Sequence, residues 1–373
     1  MKNIIILHVL FVDNEKGGGV REVVPKHLEY QSKIARVALL NCNDSNLEES
    51  YGKYDVYKLS KFRKICNLPY PYNIPDIVVF HAIYYPQYLD LYKECKNRNI
   101  PYIIVPHGSL TKRAQMQKWW KKIPANVLLF NRFINNASSI QFLIKGEMEN
   151  SRKCANYILS GNGIDASEKK KKYDKNDEKF FKVIYIGRYD IKTKGIDLMI
   201  DAFELIKKFA LDNEIKLVLY GTDYRNQKKK IEKIVKEKKL EKFIEINGPI
   251  WGHEKVEKIC SSDVFIQTSR TEGQPLGLME AIDIGIPCLV TYATNYGEIV
   301  SDESLGWCAD INAESIADMI IDAYRGREKF SEISKREIDY SAKNFRWNRI
   351  SYNTVEEYRK IVEVYKEKNN VFK

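Results

Sequence analysis

Short, continuously apolar runs recur along this chain, and they constrain its fold more than any other feature. In the first half they are Asn3–Val12, Arg36–Asn41, Asp76–His81, Tyr102–Pro106 and Ser139–Leu143. In the second half they are Phe181–Ile186, Ile215–Tyr220, Phe243–Asn247, Asp263–Thr268 and Cys288–Thr291. A strand with one wet face alternates apolar and polar residues. A run without alternation predicts a parallel strand covered on both faces. Amphipathic stretches such as Gly195–Ala210 separate the runs. Strand–helix repetition in two blocks predicts two doubly wound α/β domains. The lysine-rich stretch Glu168–Asp177 reads as the solvated linker between them.

Composition narrows the class. The chain has 373 residues, 44% hydrophobic and 30% charged, enough apolar material for two cores. No apolar run approaches the 18 residues of a membrane-spanning helix. The N-terminus shows no small-residue cleavage site, so no signal peptide is expected. Seven cysteines without a C-x-x-C pair suit a reducing, cytoplasmic setting. The net charge of +11 divides into +8 over residues 1–168 and +3 over the remainder. The basic residues are spread rather than gathered on one base-reading element, which argues against a nucleic-acid partner.

In open α/β sheets, ligands bind beyond the carboxyl ends of the strands. Several turns at those places carry useful chemistry. Gly17–Val24 reads GGGVREVV, a turn that lets backbone approach a ligand just before a helix N-terminus, though triple glycine alone is a weak signal. Val105–Leu110 reads VPHGSL and puts His107 at a strand end, where a lone histidine is more often structural. Gly187–Asp197 reads GRYDIKTKGID. Arg188 offers a planar fork and a nearby lysine a point charge, together able to hold a diphosphate. Spacing leaves Lys192 and Lys194 both open; Lys194 is preferred because Gly195 and a helix follow it.

Thr268–Pro287, TSRTEGQPLGLMEAIDIGIP, holds Glu272 in a Gly/Pro loop and Glu280 in the helix Leu276–Ile284, ended by Gly285. The plain reading is acidic residues near a positive helix end. The functional reading is a pair of acceptors for hydroxyl groups, since a carboxylate suits a vicinal diol.

Together GRxxxxxKG, NGID at Asn162–Asp165 and EGxPxxxxE resemble the retaining glycosyltransferases of the GT-B fold in family 4, along nearly the whole chain. The resemblance implies two Rossmann-like domains facing a cleft: an acceptor-side domain at 1–167 and a nucleotide-sugar domain at 168–345. A last helix, about 346–373, would pack back on the first domain. It implies that Glu280 binds the nucleotide ribose, that Glu272 orients the transferred sugar, and that Arg188 and Lys194 hold the diphosphate. Gly18 and Gly19 would lie beside phosphate and sugar, and His107 beside the reacting centre. Ile250 would meet the base, and Gly273, Gln274, Pro275 and Leu276 would line the donor. The Arg-to-Lys gap is one residue longer than the commonest pattern, and Gln274 stands where an aromatic is frequent, which leaves the donor sugar open.

The expected reaction is transfer of a sugar from a UDP- or GDP-sugar to a hydroxyl of a glycan or lipid-linked acceptor, with retention and without a metal or other cofactor. No Asp-x-Asp is present; Arg188, Lys194 and helix N-termini would take the charge instead. The rivals are a glycosidase carboxylate pair, a nucleotide-sugar epimerase and a non-catalytic nucleotide binder. In Lys112–Ile134, Met116, Trp120, Ile123, Val127, Phe130 and Ile134 form a helical stripe that Pro124 should break or restart. The stripe reads as ordinary core. With Lys112, Arg113, Lys118, Lys121, Lys122 and Trp119 around it, it also reads as a helix lying on anionic lipid at the cytoplasmic face.

Overall fold

A computed structural model describes residues 3–11, 19–44, 54–116, 119–173 and 180–370. The chain forms two units, Met1–Gly163 with Trp347–Lys373, and Ile164–Arg346. Among the described residues, the first unit holds the strands β1 (Ile5–Leu10), β2 (Arg36–Asn41), β3 (Asp55–Lys58), β4 (Ile77–His81), β5 (Tyr102–Val105), β6 (Ser139–Phe142) and β7 (Tyr157–Leu159). The second holds β8 (Phe181–Ile186), β9 (Ile215–Tyr220), β10 (Ile244–Asn247), β11 (Val264–Gln267), β12 (Cys288–Thr291) and β13 (Gly306–Ala309). The sheet orders are β3-β2-β1-β4-β5-β6-β7 and β10-β9-β8-β11-β12-β13. Every pairing between named strands is parallel. The expectation of two doubly wound α/β domains is met. In each sheet the strand order reverses beside the first strand, between β1 and β4 and between β8 and β11.

All ten expected runs form strands. The three strands that the apolar runs did not announce, β3, β7 and β13, lie at sheet edges and are mostly only partly buried. A half-covered edge strand needs no continuous apolar run. The central strands β4, β5, β11 and β12 are buried throughout. Each fully buried Ile, Leu or Phe there contributes about 1.5–3 kcal/mol relative to exposure.

The boundary lies at Gly163–Ile164, not at 167–168, and the lysine-rich stretch is not simply a solvated linker. Asp283, buried at 1% side-chain exposure, pairs with Lys170 at 2.8 Å and Arg346 at 2.6 Å. It also accepts from the Ser167 N–H and Ser341 Oγ, each at 2.7 Å. The Ile164 N–H donates to Phe345 O at 2.8 Å. Residues 164–171 and 341–346 are thus bound into the second unit. Burial pushes the Asp283 carboxyl up, but the hydrogen bonds from Lys170, Ser167, Ser341 and Arg346 outweigh it and hold it below the ordinary range.

Helix Trp347–Asn370 belongs to the first unit. Thr354 Oγ1 bonds Ser160 Oγ, and Tyr358 Oη donates to Gln141 at 2.6 Å. Trp347 stacks on Tyr30 and meets His27 edge-on. A Cβ on Gly163 would lie 2.6 Å from the Trp347 ring, so glycine is required there. Asn162 Oδ1 bonds His27 Nε2 at 3.1 Å. The first residues of the NGID motif therefore seat the returning helix.

Glu337 is wholly buried, and its carboxyl meets the Cys288 thiol, a weak donor. Burial pushes its pKa well above the ordinary range, so it folds as the neutral acid. The folded pKa exceeds the unfolded one, so its contribution is favourable in acid and lost as pH rises through the window above about 4.5. Glu337→Met is therefore expected to stabilise the protein by at least about 1 kcal/mol at pH 8, with a smaller gain at pH 5. Urea midpoints at the two pH values check this, and an equal or reversed gain would refute it.

Candidate functional site

The second unit gathers its chemistry where its strand order reverses. The turn after β8 is held by two buried tyrosines. Tyr185 Oη donates to Arg188 O at 3.0 Å, and Tyr189 Oη donates to Leu219 O at 3.0 Å and Asn247 O at 2.7 Å. Between them Arg188 is left half-exposed, its guanidinium 4.4 Å above the Tyr224 ring and 3.4 Å from Asp190. Asp190 caps the short helix Ile191–Lys194 by accepting from the Thr193 N–H at 3.2 Å.

Gly195 ends that helix at φ +67°, and a Cβ there would lie 2.0 Å from Thr268 O. No side chain fits, so the turn after β8 sits directly against the turn after β11. The Arg270 N–H donates to Thr193 O at 2.9 Å, and the Arg270 guanidinium forks onto Asp197 at 2.6 and 3.0 Å. The result is an ion pair between Lys194 Nζ and Glu272 Oε1 at 2.6 Å, with side chains 18% and 11% exposed. The same oxygen accepts from Ser269 Oγ at 2.5 Å and Gln267 Nε2 at 2.9 Å. Lys192 turns away to Asp197 and is largely exposed. Of the two lysines that spacing left open, Lys194 is the one beside Glu272.

The helix Leu276–Ile284 starts at Pro275 and ends at Gly285, φ +84°, within the bounds read from the sequence. Gly277 lets its first turn approach β8: a Cβ there would lie 3.3 Å from Ile186 O. The helix N-terminus, with its N–H groups and positive dipole end, is thereby set beside the reversal point. One turn in, Glu280 pairs with Lys255 of helix Gly252–Cys260. Gln274 Nε2 donates to Tyr296 Oη at 3.1 Å, and Ile250 is buried. Glu272 and Glu280 each hold a separate lysine.

In the first unit, His107 follows β5 at φ +49° with Gly108 at φ +80°. Both residues are thus in the left-handed region, which reverses the chain after the strand. The Gly108 N–H donates to Glu147 Oε1 at 2.5 Å, and the Leu143 N–H to Glu147 Oε2 at 2.8 Å. Burial raises the Glu147 carboxyl to about 6 against the lowering effect of those two bonds. His107 Nε2 is 3.1 Å from His81 Nδ1, His81 Nε2 is 2.9 Å from His8 Nδ1, and His8 Nε2 is 2.9 Å from Gln31 Oε1. Burial holds all three imidazoles well below their ordinary pKa, His8 at about 3. Among the described residues no cluster of His, Cys, Asp or Glu could hold a metal ion.

Residues 165–340 match the family model of the glycosyl transferases group 1. The second unit is in this respect similar to the group 1 glycosyl transferases. WcaL of Escherichia coli strain K12, whose name assigns it to colanic acid biosynthesis, is 27% identical over 136 residues. That stretch is 35% of this chain and 32% of WcaL. The alpha-monoglucosyldiacylglycerol synthase of Acholeplasma laidlawii is 28% identical over 146 residues, 39% of this chain and 35% of that protein. The matched stretch thus spans about a third of these curated relatives. Among solved structures, sucrose-phosphate synthase from Thermosynechococcus elongatus superposes with a TM-score of 0.74 at 16% identity, covering 97% of this chain and 100% of that one. HepE of Anabaena, in complex with UDP and glucose, gives 0.72 at 14%, covering 96% and 100%.

The group 1 match contains Arg188, Lys194, Ile250, Glu272, Gly273, Gln274, Pro275, Leu276 and Glu280. Sequence reasoning missed their partners Gln267, Ser269, Lys255 and Tyr296, which carry no motif of their own. Outside the match, Gly17 and Gly18 lie outside the described residues, and Gly19 opens helix Gly19–Gln31. The stripe in Lys112–Ile134 divides. Phe130 and Ile134 are core, while Met116, Trp120, Ile123 and Val127 are exposed, as is Trp119. An all-core stripe is therefore excluded. Pro124 does not break the helix Trp119–Ala125, and the next turn, Asn126–Phe130, is a π-helix. Lys122 donates to Ala114 O. Lys118 and the Lys121 side chain fall outside the described part. No described helix is long and apolar enough to cross a membrane.

Gly195→Ala in the second unit is expected to lower stability by about 2 kcal/mol or more, since the left-handed strain alone is roughly 1–2 kcal/mol. It should also separate Lys194 from Glu272. Urea unfolding and a crystal structure of the variant check both effects, and an unchanged midpoint would contradict the tight approach.

Proposed function

We propose that this chain is a retaining, metal-independent glycosyltransferase. It would move a sugar from a UDP- or GDP-sugar to a hydroxyl of a glycan or lipid-linked acceptor, in the assembly of cell-surface polysaccharide or glycolipid. The observation that carries the reading is the Lys194–Glu272 pair at the carboxyl ends of β8 and β11, beside the N-terminus of Leu276–Ile284. It puts cation, hydroxyl acceptor and backbone N–H groups where an anionic donor is met. Support comes from the match to group 1, from relatives named for colanic acid and diacylglycerol glucoside synthesis, and from a fold neighbour solved with UDP and with UDP-glucose.

In this reading Arg188 and Lys194 meet the diphosphate, the first as a fork on its Tyr224 platform and the second as a point charge. Glu272 Oε1 is occupied by three donors, so Oε2 faces the sugar hydroxyls. Glu280 grips the ribose diol while Lys255 balances its charge. Ile250, Gly273, Gln274, Pro275 and Leu276 line base and sugar, Gly18 and Gly19 the phosphate side. His107 attends the reacting centre. The acceptor oxygen bonds the anomeric carbon as the bond to the leaving phosphate breaks. The acceptor proton passes to that phosphate on the same face. Arg188, Lys194 and the helix N-terminus stabilise the charge left behind, without a metal bridge.

Glu280→Gln is expected to weaken UDP or GDP binding roughly ten- to a hundredfold, the loss of one charged hydrogen bond. Glu272→Gln should instead abolish turnover with little change in nucleotide affinity. Calorimetry and donor turnover with and without acceptor, each repeated in EDTA, read both. Unchanged nucleotide binding in Glu280→Gln removes the ribose assignment. Turnover abolished by EDTA removes metal independence, and an isomerised sugar released without acceptor favours an epimerase.

The segment Lys112–Ile134 would lay Met116, Trp119, Trp120, Ile123 and Val127 into an anionic membrane surface at the cytoplasmic face, to meet the acceptor. Its observation is that these residues are exposed on one basic segment. Sedimentation with anionic vesicles at low salt should recover the chain, and Trp119→Ser with Trp120→Ser should abolish recovery. Equal recovery with neutral vesicles would sink the membrane reading and leave the transfer reading standing.

A further inference from the structure

The row His8–His81–His107 is placed by strand register. His8 pairs with Val79 across β1 and β4, and His81 pairs with Val105 across β4 and β5. Side chains on one face of a strand recur every second residue. His81 is therefore one step beyond Val79 on the same face, and His107 is two positions beyond Val105. The row climbs diagonally from the middle of β1 to the turn after β5. Its inner end is Gln31, the last residue of helix Gly19–Gln31, itself fully buried.

A neutral imidazole carries one N–H and one lone pair. Bonds along a row of neutral rings must then all run in one direction, and the group at the closed end selects it. Gln31 presents its carbonyl oxygen to His8 Nε2, which donates. His8 Nδ1 is then the acceptor for His81 Nε2, and His81 Nδ1 is the acceptor for His107 Nε2. His107 keeps a lone pair on Nδ1, for which no described residue supplies a hydrogen bond. The Gln31 amide nitrogen is buried without a partner, so its carbonyl is the group's one link to the row.

We propose that Gln31, His8 and His81 are positioning residues that hold His107 as its Nε2–H tautomer, so that Nδ1 is presented as the acceptor for a ligand hydroxyl. This rests on the glycosyl-transfer reading for the identity of the ligand. The tautomer itself does not depend on it. Neutral rings suit this role, because a charged row would present a donor at both ends.

Long-range 1H–15N spectra of the whole chain, labelled at histidine and assigned with single His→Asn variants, test the proposal at pH 7.5. His8, His81 and His107 are expected each as one neutral Nε2–H form. An imidazolium, an Nδ1–H form or an averaged pair at His107 overturns it. Gln31→Met removes the acceptor. It should average the His107 tautomer and lower kcat roughly tenfold or more while UDP or GDP affinity stays within about twofold. Gln31→Glu keeps an acceptor oxygen and should preserve the tautomer and restore turnover. Loss of turnover with the tautomer intact in Gln31→Met refutes the positioning role. If Gln31→Met fails to fold, the wild-type spectrum and Gln31→Glu decide. Correct tautomers in a protein that transfers no sugar would count against the glycosyl-transfer reading alone.

Discussion

Asp283 is the group on which the second unit's architecture hangs. Its carboxylate is nearly inaccessible, yet it receives two cations, a hydroxyl and a backbone N–H. A buried charge with one partner removed typically loses about 3–5 kcal/mol, so such a hub holds only because it is fully satisfied. It sits near the end of the helix whose first turn approaches β8 through Gly277. The helix is thus fixed at both ends, by an ion cluster at one and by a missing side chain at the other. Glu280 and the loop bearing Glu272 inherit their positions from that rigidity.

The two units use the same topology for different chemistry. In the second, the reversal between β8 and β11 is charged: Arg188, Lys194, Glu272 and the positive end of a helix. In the first, β1 and β4 carry buried imidazoles that burial keeps neutral, and the helix Lys145–Glu149 adds a carboxyl raised by burial. One arrangement is suited to meeting an anion and the other to directing hydrogen bonds. Both lie around strands that are mostly apolar, as burial of both sheet faces requires, with His8 the polar exception inside β1.

Much of this was legible in the sequence. Continuous apolar runs identified every central strand, because a strand covered on both faces has no freedom to alternate. Gly285 and Pro287 marked the end of the helix bearing Glu280, because a left-handed residue and an imino acid both stop a helix. The edge strands escaped because exposure relaxes composition. The partners of the site residues escaped for another reason. Ser269, Gln267 and Lys255 are ordinary surface types whose role comes from where the fold brings them. The three histidines were separable in principle, each standing at or near a strand's carboxyl end, but their joining depends on register, which no local pattern states. The linker reading of the lysine run failed because Lys170 has a buried partner more than a hundred positions away.

The returning helix Trp347–Asn370 has a consequence for the order in which the protein is made. The second unit is one uninterrupted stretch, whereas the first is completed by residues that follow it. During synthesis the ribosome delivers all of Ile164–Arg346 before the helix that covers Gln141, Ser160 and His27 exists. Until then the first sheet stands with that flank open, and Gly163 faces an empty place where an indole belongs. The part that closes the first unit is thus translated after the whole of the second, and a nascent chain has a finished second unit before it has a finished first.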